Sequence, residues 1–296
     1  ASTAPLAVYG VGGLETSIIT YEVRDSLGKP ISDTNADTVF FFLTGAPTGG
    51  GAYVAPQVVV SNAAGRASTT VNSGTVSGTA QLIAQLYRDA DGLTIRSTPI
   101  RLLVHGGLPD QAHFSLGANP VNVPGYYVIG MTSAVTALVG DQYGNPVAPN
   151  TAVYFTATQG VITTSTGFTG SNGFAGVTLF TGNPLAANGI GTVTARTIGV
   201  SSSTVQTSIP ILFSGHAFID SLRVIGGGAL TVAATTQAVV GFRVYDERFN
   251  PLAAGTGISA EVKGGASAVA SDASPTNTLP DAISQYWTDF RVIVSK

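Results

Sequence analysis

The chain has 296 residues, of which only 10% are charged; its net charge is −3, and cysteine is absent. This excludes a basic nucleic-acid footprint, a disulfide framework or thiolate chemistry, and, because no apolar run approaches roughly 18–20 residues, a membrane-spanning helix. The apolar residues fall in many short segments, which fits a β protein with filled cores and weakly charged surfaces that associate readily.

The chain opens on ASTAPL, with neither a basic nor an apolar leader region. Its small residues resemble the mature end left by signal cleavage, so the expected location is extracellular or on the cell surface. Residues 5–11, PLAVYGV, read as a first strand, or else as a strand donated to a neighbour. IITYEV (18–23) and TVFFFL (38–43) carry the period-two pattern of strands. Between them lies RDSLGKPISD (24–33). There Asp25 can bond amides two residues on, Gly28 tolerates a positive φ, and Pro30 fixes φ and stops the ladder. APTGGGAYVAP (46–56) is a Gly/Pro-rich loop, and SNAAGRA (61–67) a second turn. GTAQLIAQLY (78–87) and IRLLV (100–104) close the first unit.

After the short GLPDQ (107–111) the plan returns. AVTALV (134–139) precedes GDQYGNPVAPN (140–150), with Asp141, Gly144 and Pro146 in the places of Asp25, Gly28 and Pro30. TAVYFTA (151–157), TGSNGFA (169–175), GTVTARTI (191–198) and IPILF (209–213) follow. A third copy starts after FSGH (213–216). VVGFRVY (239–245) leads to Asp246 and Pro251, and ISAEV (258–262) reads as the next strand. Phe249 replaces the glycine there, so Asn250 is expected to take any left-handed position, or the turn to change type.

Asp25, Asp141 and Asp246 lie 116 and 105 residues apart. That period is too long for a solenoid and suits beads of ordinary domain size. About seven short strands per unit, with turn signals every 8–12 residues, argue for antiparallel β-sandwiches. The third copy has 50 residues after its Asp, where the first uses 79 and the second 72 to finish the last strand. The polypeptide continues beyond residue 296, or the last unit is a smaller sandwich complete in itself, or its open edge takes a neighbour's strand. The closing TDFRVIVSK reads as a final strand.

The order Asp-x-x-Gly-Asn-Pro-Val, aromatic-rich strand, Gly-x-Ala and Gly-Thr-x-x-[Val/Ile]-x-Ala resembles bacterial immunoglobulin-like domains of the intimin and invasin type. It covers about residues 1–214 well and about 215–265 in part. The resemblance implies an extracellular, non-catalytic module: a spacer, an adhesive unit or a fibre subunit.

Candidate chemistry is sparse. Asp89 and Asp91 in RDADG (88–92) alternate like the start of a calcium loop, but LTIRSTP supplies no later acidic ligand, and a hairpin turn is the plainer reading. His105, His113 and His216 flank the two junctions and read as structural. Adjacent Asp246 and Glu247 would point to opposite faces of a strand, poor geometry for acid–base work. TGGGA (48–52) and IGGGA (225–229) lack the lysine and helix of a phosphate loop. Tyr286, Trp287 and Phe290 are either an interaction patch or core of the last unit.

The expectation is therefore an all-β protein of three tandem immunoglobulin-like antiparallel β-sandwich domains, at 1–107, 108–214 and 215–296, the last one shortened. It binds no cofactor and is no enzyme. Its partners are other protein subunits or a surface receptor, with self-association into fibres as a further expectation, and neither nucleic acid nor a membrane span. The role is a cell-surface stalk or adhesin segment; the alternatives are a repeating subunit of an extracellular filament or sheath and, third, a carbohydrate-binding accessory module.

Overall fold

The computed structural model describes residues 4–88, 91–233, 236–263 and 267–296. The alternating segments form strands, and among the described residues no helix exceeds the five-residue 3-10 turn Ala46–Gly50. The first unit holds β1 (Leu6–Ala7), β2 (Thr16–Glu22), β3 (Thr38–Gly45), β4 (Tyr53–Ala55), β5 (Val58–Val60), β6 (Arg66–Asn72), β7 (Gly78–Arg88), β8 (Leu93–Arg96) and β9 (Ile100–His105). They make one sheet ordered β1-β9-β7-β3-β5, with β8 beside β7, and a second ordered β2-β6-β4.

The second unit holds β10 (Phe114–Asn119), β11 (Asn122–Val123), β12 (Thr132–Val139), β13 (Ala152–Ala157), β14 (Val161–Ile162), β15 (Thr166–Phe168), β16 (Phe174–Phe180), β17 (Ile190–Ile198) and β18 (Thr204–Phe213). Its sheets are β11-β18-β17-β13-β15 and β10-β12-β16-β14. β1 runs parallel to β9, and β11 to β18, while the other ladders are antiparallel. Two such sheets over one core are the immunoglobulin-like arrangement. Each of these two units holds nine strands among the described residues rather than about seven. The loop after β3 or β13 touches both sheets in pairs of two or three residues, too short to register as alternation.

The cores follow the alternation. β12 is buried at every second residue, and its Val135, Ala137 and Val139 meet Phe155, Val193, Ile211 and Phe213. Ile19, Phe41, Leu82 and Val104 do the same in the first unit. Each such side chain contributes roughly 1.5–3 kcal/mol of burial, and the three cores share no residue.

The third unit departs from the plan. β19 (Ala217–Val224), β20 (Gln237–Asp246), β21 (Val269–Ala270) and β22 (Asp289–Ser295) form one sheet ordered β19-β20-β22-β21. By its pairing with β20, β22 holds the place of β16, which has two strands after it, so TDFRVIVSK is not the counterpart of a final strand. Alternation looks the same in any strand, and only the partner shows its rank. ISAEV forms no strand. Ile258 instead donates to Asn277 O, and Leu279 to Thr256 O, so that coil covers the inner face of the sheet. Leu252, Ile258, Ala273 and Leu279 are buried there against Phe242, Phe290 and Val292. Among the described residues the unit has this one sheet, and irregular chain covers its core.

Candidate functional site: clamps between the units

The three Asp turns are built alike. Asp25 Oδ1 accepts from the amides of Leu27 and Lys29 at 2.8 and 2.9 Å. Asp141 Oδ1 accepts from Tyr143 and Asn145, both at 2.9 Å, and Asp246 Oδ1 from Arg248 and Asn250 at 2.8 and 2.9 Å. In each, the fourth residue donates to the Asp carbonyl. That residue has φ of +80° at Gly28, +79° at Gly144 and +65° at Phe249. Phe249 itself, and not Asn250, takes the left-handed position, because the hydrogen bonds on either side hold the same geometry. A left-handed L-residue costs roughly 1–2 kcal/mol. Phe249→Asn is therefore expected to gain a few tenths to about 1 kcal/mol of stability, measured by urea unfolding. A loss would show that the ring, 5.0 Å from that of Tyr245, outweighs the strain. Pro30 and Pro146 each bridge back to the end of the preceding strand, at Arg24 and Gly140.

The second carboxylate oxygen distinguishes the copies. Asp141 Oδ2 accepts the linker amide of Gly107 at 2.8 Å, and Asp246 Oδ2 that of Gly215 at 3.0 Å. The Asn four residues on crosses the same junction. Asn145 Nδ2 donates to Thr75 O at 2.9 Å, its Oδ1 accepts from Ser77 N at 2.9 Å, and Asn250 Nδ2 donates to Asn188 O at 2.8 Å. Thr75–Ser77 and Asn188 both lie just before the penultimate long strand of the preceding unit, β7 or β17. Asp141 and Asp246 are 0% exposed, whereas Asp25 is exposed and has Lys29 where the others have Asn. The repeated phrase is thus a turn in all three copies and a clamp on the preceding unit in two.

The second junction carries two more contacts. Asn122, buried on β11, donates through Nδ2 to Leu252 O at 2.8 Å and Ala282 O at 3.0 Å. Asp281 accepts from the amides of Val121 and Asn122. Nearby, Arg248 lies 3.2 Å above the Tyr126 ring and 2.7 Å from Glu247. Glu247 Oε2 accepts from His216 N at 2.9 Å, and the His216 ring stacks on Tyr127 at 4.1 Å. Asp246 and Glu247 therefore converge on consecutive linker amides instead of facing apart, because β20 ends at Asp246 and Glu247 belongs to the turn.

Burial pushes the Glu247 carboxyl upward, but hydrogen bonds from Tyr127, the backbone and Arg248 outweigh it and hold it at about 2. A carboxylate lowered in the folded state stabilises above its unfolded value of roughly 4.3 and loses that contribution as pH falls toward the folded value. Protection of the His216 amide from hydrogen exchange is thus expected to weaken between about pH 4.5 and about 2. Glu247→Gln should flatten this dependence.

The other candidates separate. Asp91 pairs with Arg88, which holds its carboxyl low; Asp89 lies outside the described residues. Among the described residues no three His, Asp or Glu side chains gather into a metal-binding group, and no helix is long and apolar enough to cross a membrane. His105 Nδ1 lies 2.7 Å from Gly106 O, and His113 lies 3.5 Å from Asp110, both at the first junction. Phe290 is in the third core with Trp287 packed against it, while Tyr286 is exposed, edge-on to Trp287 at 4.9 Å. The three aromatics form no common patch. Asn122, Tyr126, Tyr127, Arg248 and Asp281 carry no repeated signal. The Asn145/Asn250 against Lys29 contrast is the one visible clue to the clamps.

No family model matches the chain, and no curated protein matches it. Solved bacterial structures resemble it. One is invasin, described as a bacterial integrin-binding protein (18% identity, 99% of this chain and 53% of that one, TM-score 0.33). Others are the D0–D1 domain of intimin (20%, 71% and 95%, TM-score 0.26) and a C-terminal intimin fragment in complex with the intimin-binding domain of its translocated receptor (16%, 74% and 69%, TM-score 0.27). The chain spans about half the length of the invasin structure. By its own strand order the chain is all-β, with two pairs of sheets in the immunoglobulin-like arrangement and one further sheet, β19-β20-β22-β21.

Proposed function

We propose that the chain is a non-catalytic stalk or adhesin segment displayed outside a bacterial cell, divided into units at 1–107, 108–214 and 215–296. Its task is to hold a spacing. Its partners are other proteins, either a surface receptor or further subunits. The observation that supports this is the clamp: a buried Asp–Asn pair binding the linker and the preceding unit at both junctions. Buried charge-assisted hydrogen bonds of this kind contribute roughly 1.5–3 kcal/mol each and leave a hinge little freedom.

Because the chain has no cysteine, paired spin labels at Tyr53→Cys and Tyr154→Cys would report the first junction cleanly. A narrow distance distribution that broadens in Asn145→Ala supports the stalk reading. A distribution already broad in the parent chain would end it. Regular fibres in electron micrographs of native material would replace it with the filament subunit.

A further inference from the structure

The loop TGAPTGGGA (44–52) sets the first unit apart from the second. Phe41 N donates to Gln57 O and Phe155 N to Ser165 O, which aligns β3 with β13. Tyr53 pairs with Asn72 and Val161 with Phe180, each partner seven residues after its Gly-x-Ala glycine, so Tyr53 and Val161 correspond. Twelve residues lead from Phe41 to Tyr53, but only six from Phe155 to Val161. The extra chain includes the 3-10 turn Ala46–Gly50, and it is held firmly. Thr75 donates to Gly50 O from its amide at 2.9 Å and from Oγ1 at 3.3 Å. The two backbones pass so closely that a Cβ on Gly74 would strike the Gly50 carbonyl. Thr75 O in turn accepts from Asn145, so the loop shares its support with the first clamp.

Two grooves share Tyr53 as a wall. One, of about 370 Å³, is lined by Phe40, Phe42, Thr48 and Gln57, and among the described residues no charged side chain borders it. The other, of about 360 Å³, is lined by Tyr9, Glu15, Asn72 and Ser73, the last with a buried Oγ that has no hydrogen-bond partner among the described residues. Gly10 N donates to Glu15 Oε1 at 2.9 Å and fixes that carboxylate in place. Strand alternation sends Phe41 into the core, 3% exposed, and leaves Phe42, Tyr53 and Tyr9 at 46%, 54% and 61%. Thr156 and Val161 hold the places of Phe42 and Tyr53 in the second unit. Exposed rings beside amides and one fixed carboxylate suit a ligand with apolar faces and a rim of hydroxyls. A phosphate or an acidic polymer would meet no cation among these residues, and an apolar segment would leave Glu15 and Asn72 without new partners.

We propose that the first unit binds an uncharged oligosaccharide, laid across Tyr53 from one groove into the other. The C–H faces of its sugar rings stack on Phe42 and Tyr53, whose ring faces are electron-rich. Its hydroxyls donate to Glu15 and exchange hydrogen bonds with the Asn72 and Gln57 amides. A few polar groups converging beside apolar walls fix the orientation of such a ligand. The loop is anchored before the sugar arrives, so little ordering opposes binding. This goes beyond the stalk reading, adds a ligand class to it and does not depend on clamp rigidity.

The test applies the whole chain to an array of uncharged, sulfated and sialylated oligosaccharides and titrates the best-bound sugar by calorimetry. Expected is saturable binding that favours uncharged chains. Tyr53→Ala changes an exposed residue whose counterpart is a valine, so its circular dichroism should match that of the parent, and it should weaken binding at least about tenfold through the lost stacking. Gln57→Ala should weaken it less. Tyr154→Ala, on the second unit and 51% exposed, should leave affinity unchanged. Absence of binding to any uncharged sugar, a preference for charged ones, equal affinity in a folded Tyr53→Ala variant, or an equal loss in Tyr154→Ala would overturn the proposal.

Discussion

Asp141→Ala is expected to cost roughly 3 kcal/mol, while Asp25→Ala at the matching turn costs about 1 kcal/mol or less. Both side chains close the same local turn with two amide bonds. Asp141 is also fully buried, and its removal takes the acceptor from the half-buried Gly107 amide and one partner from the buried Asn145 side chain, which keeps Thr75 O and Ser77 N. Unpaired buried donors bear their full desolvation cost, whereas exposed ones turn to solvent. Urea unfolding of the two variants side by side gives the difference. Equal losses would mean that the turn alone matters and that the junction contributes nothing. The same variant should release protection of the Gly107 amide before any core amide exchanges.

Phe290→Ala should be the most damaging change in the third unit, about 3–5 kcal/mol, the usual cost of emptying a buried aromatic site. Phe290 is 1% exposed and stacks on Phe242 with centroids 6.0 Å apart. That core has one sheet on one side and coil on the other, so it has little means of collapsing around the void. Tyr286→Ala, four residues earlier and 63% exposed, should stay within about 0.5 kcal/mol. Trp287 is the one tryptophan of the chain and packs on this core, so its fluorescence during denaturation isolates the third unit. A Phe290→Ala transition coincident with that of the parent would show that coil, not the aromatic pair, holds the unit together.

These two expectations mark where sequence reasoning stops. The Asp turns were legible because their bonds run two and four residues along the chain, so spacing alone implies them. The strands were legible where alternation lasted five residues or more, as in TVFFFL and AVTALV. The two- and three-residue pairs β4, β5, β14 and β15 were not, since so short a run has no period. ISAEV has a strand's composition but no sheet to join, and tertiary context left it as coil. Phe249 was expected to pass its left-handed role to Asn250. The bonds that Asn250 makes to Asp246 and Asn188 hold it where it is, and the strain stays on the phenylalanine.

By itself the sequence determined an all-β chain, its repeat and the local form of the Asp25 and Asp141 turns, because each rests on side-chain period or on bonds within a few residues. Which oxygen of Asp141 reaches Gly107 and which rank β22 holds in its sheet were decided only in the tertiary structure. Those facts depend on partners tens of residues away, and alternation is blind to which partner a strand finds.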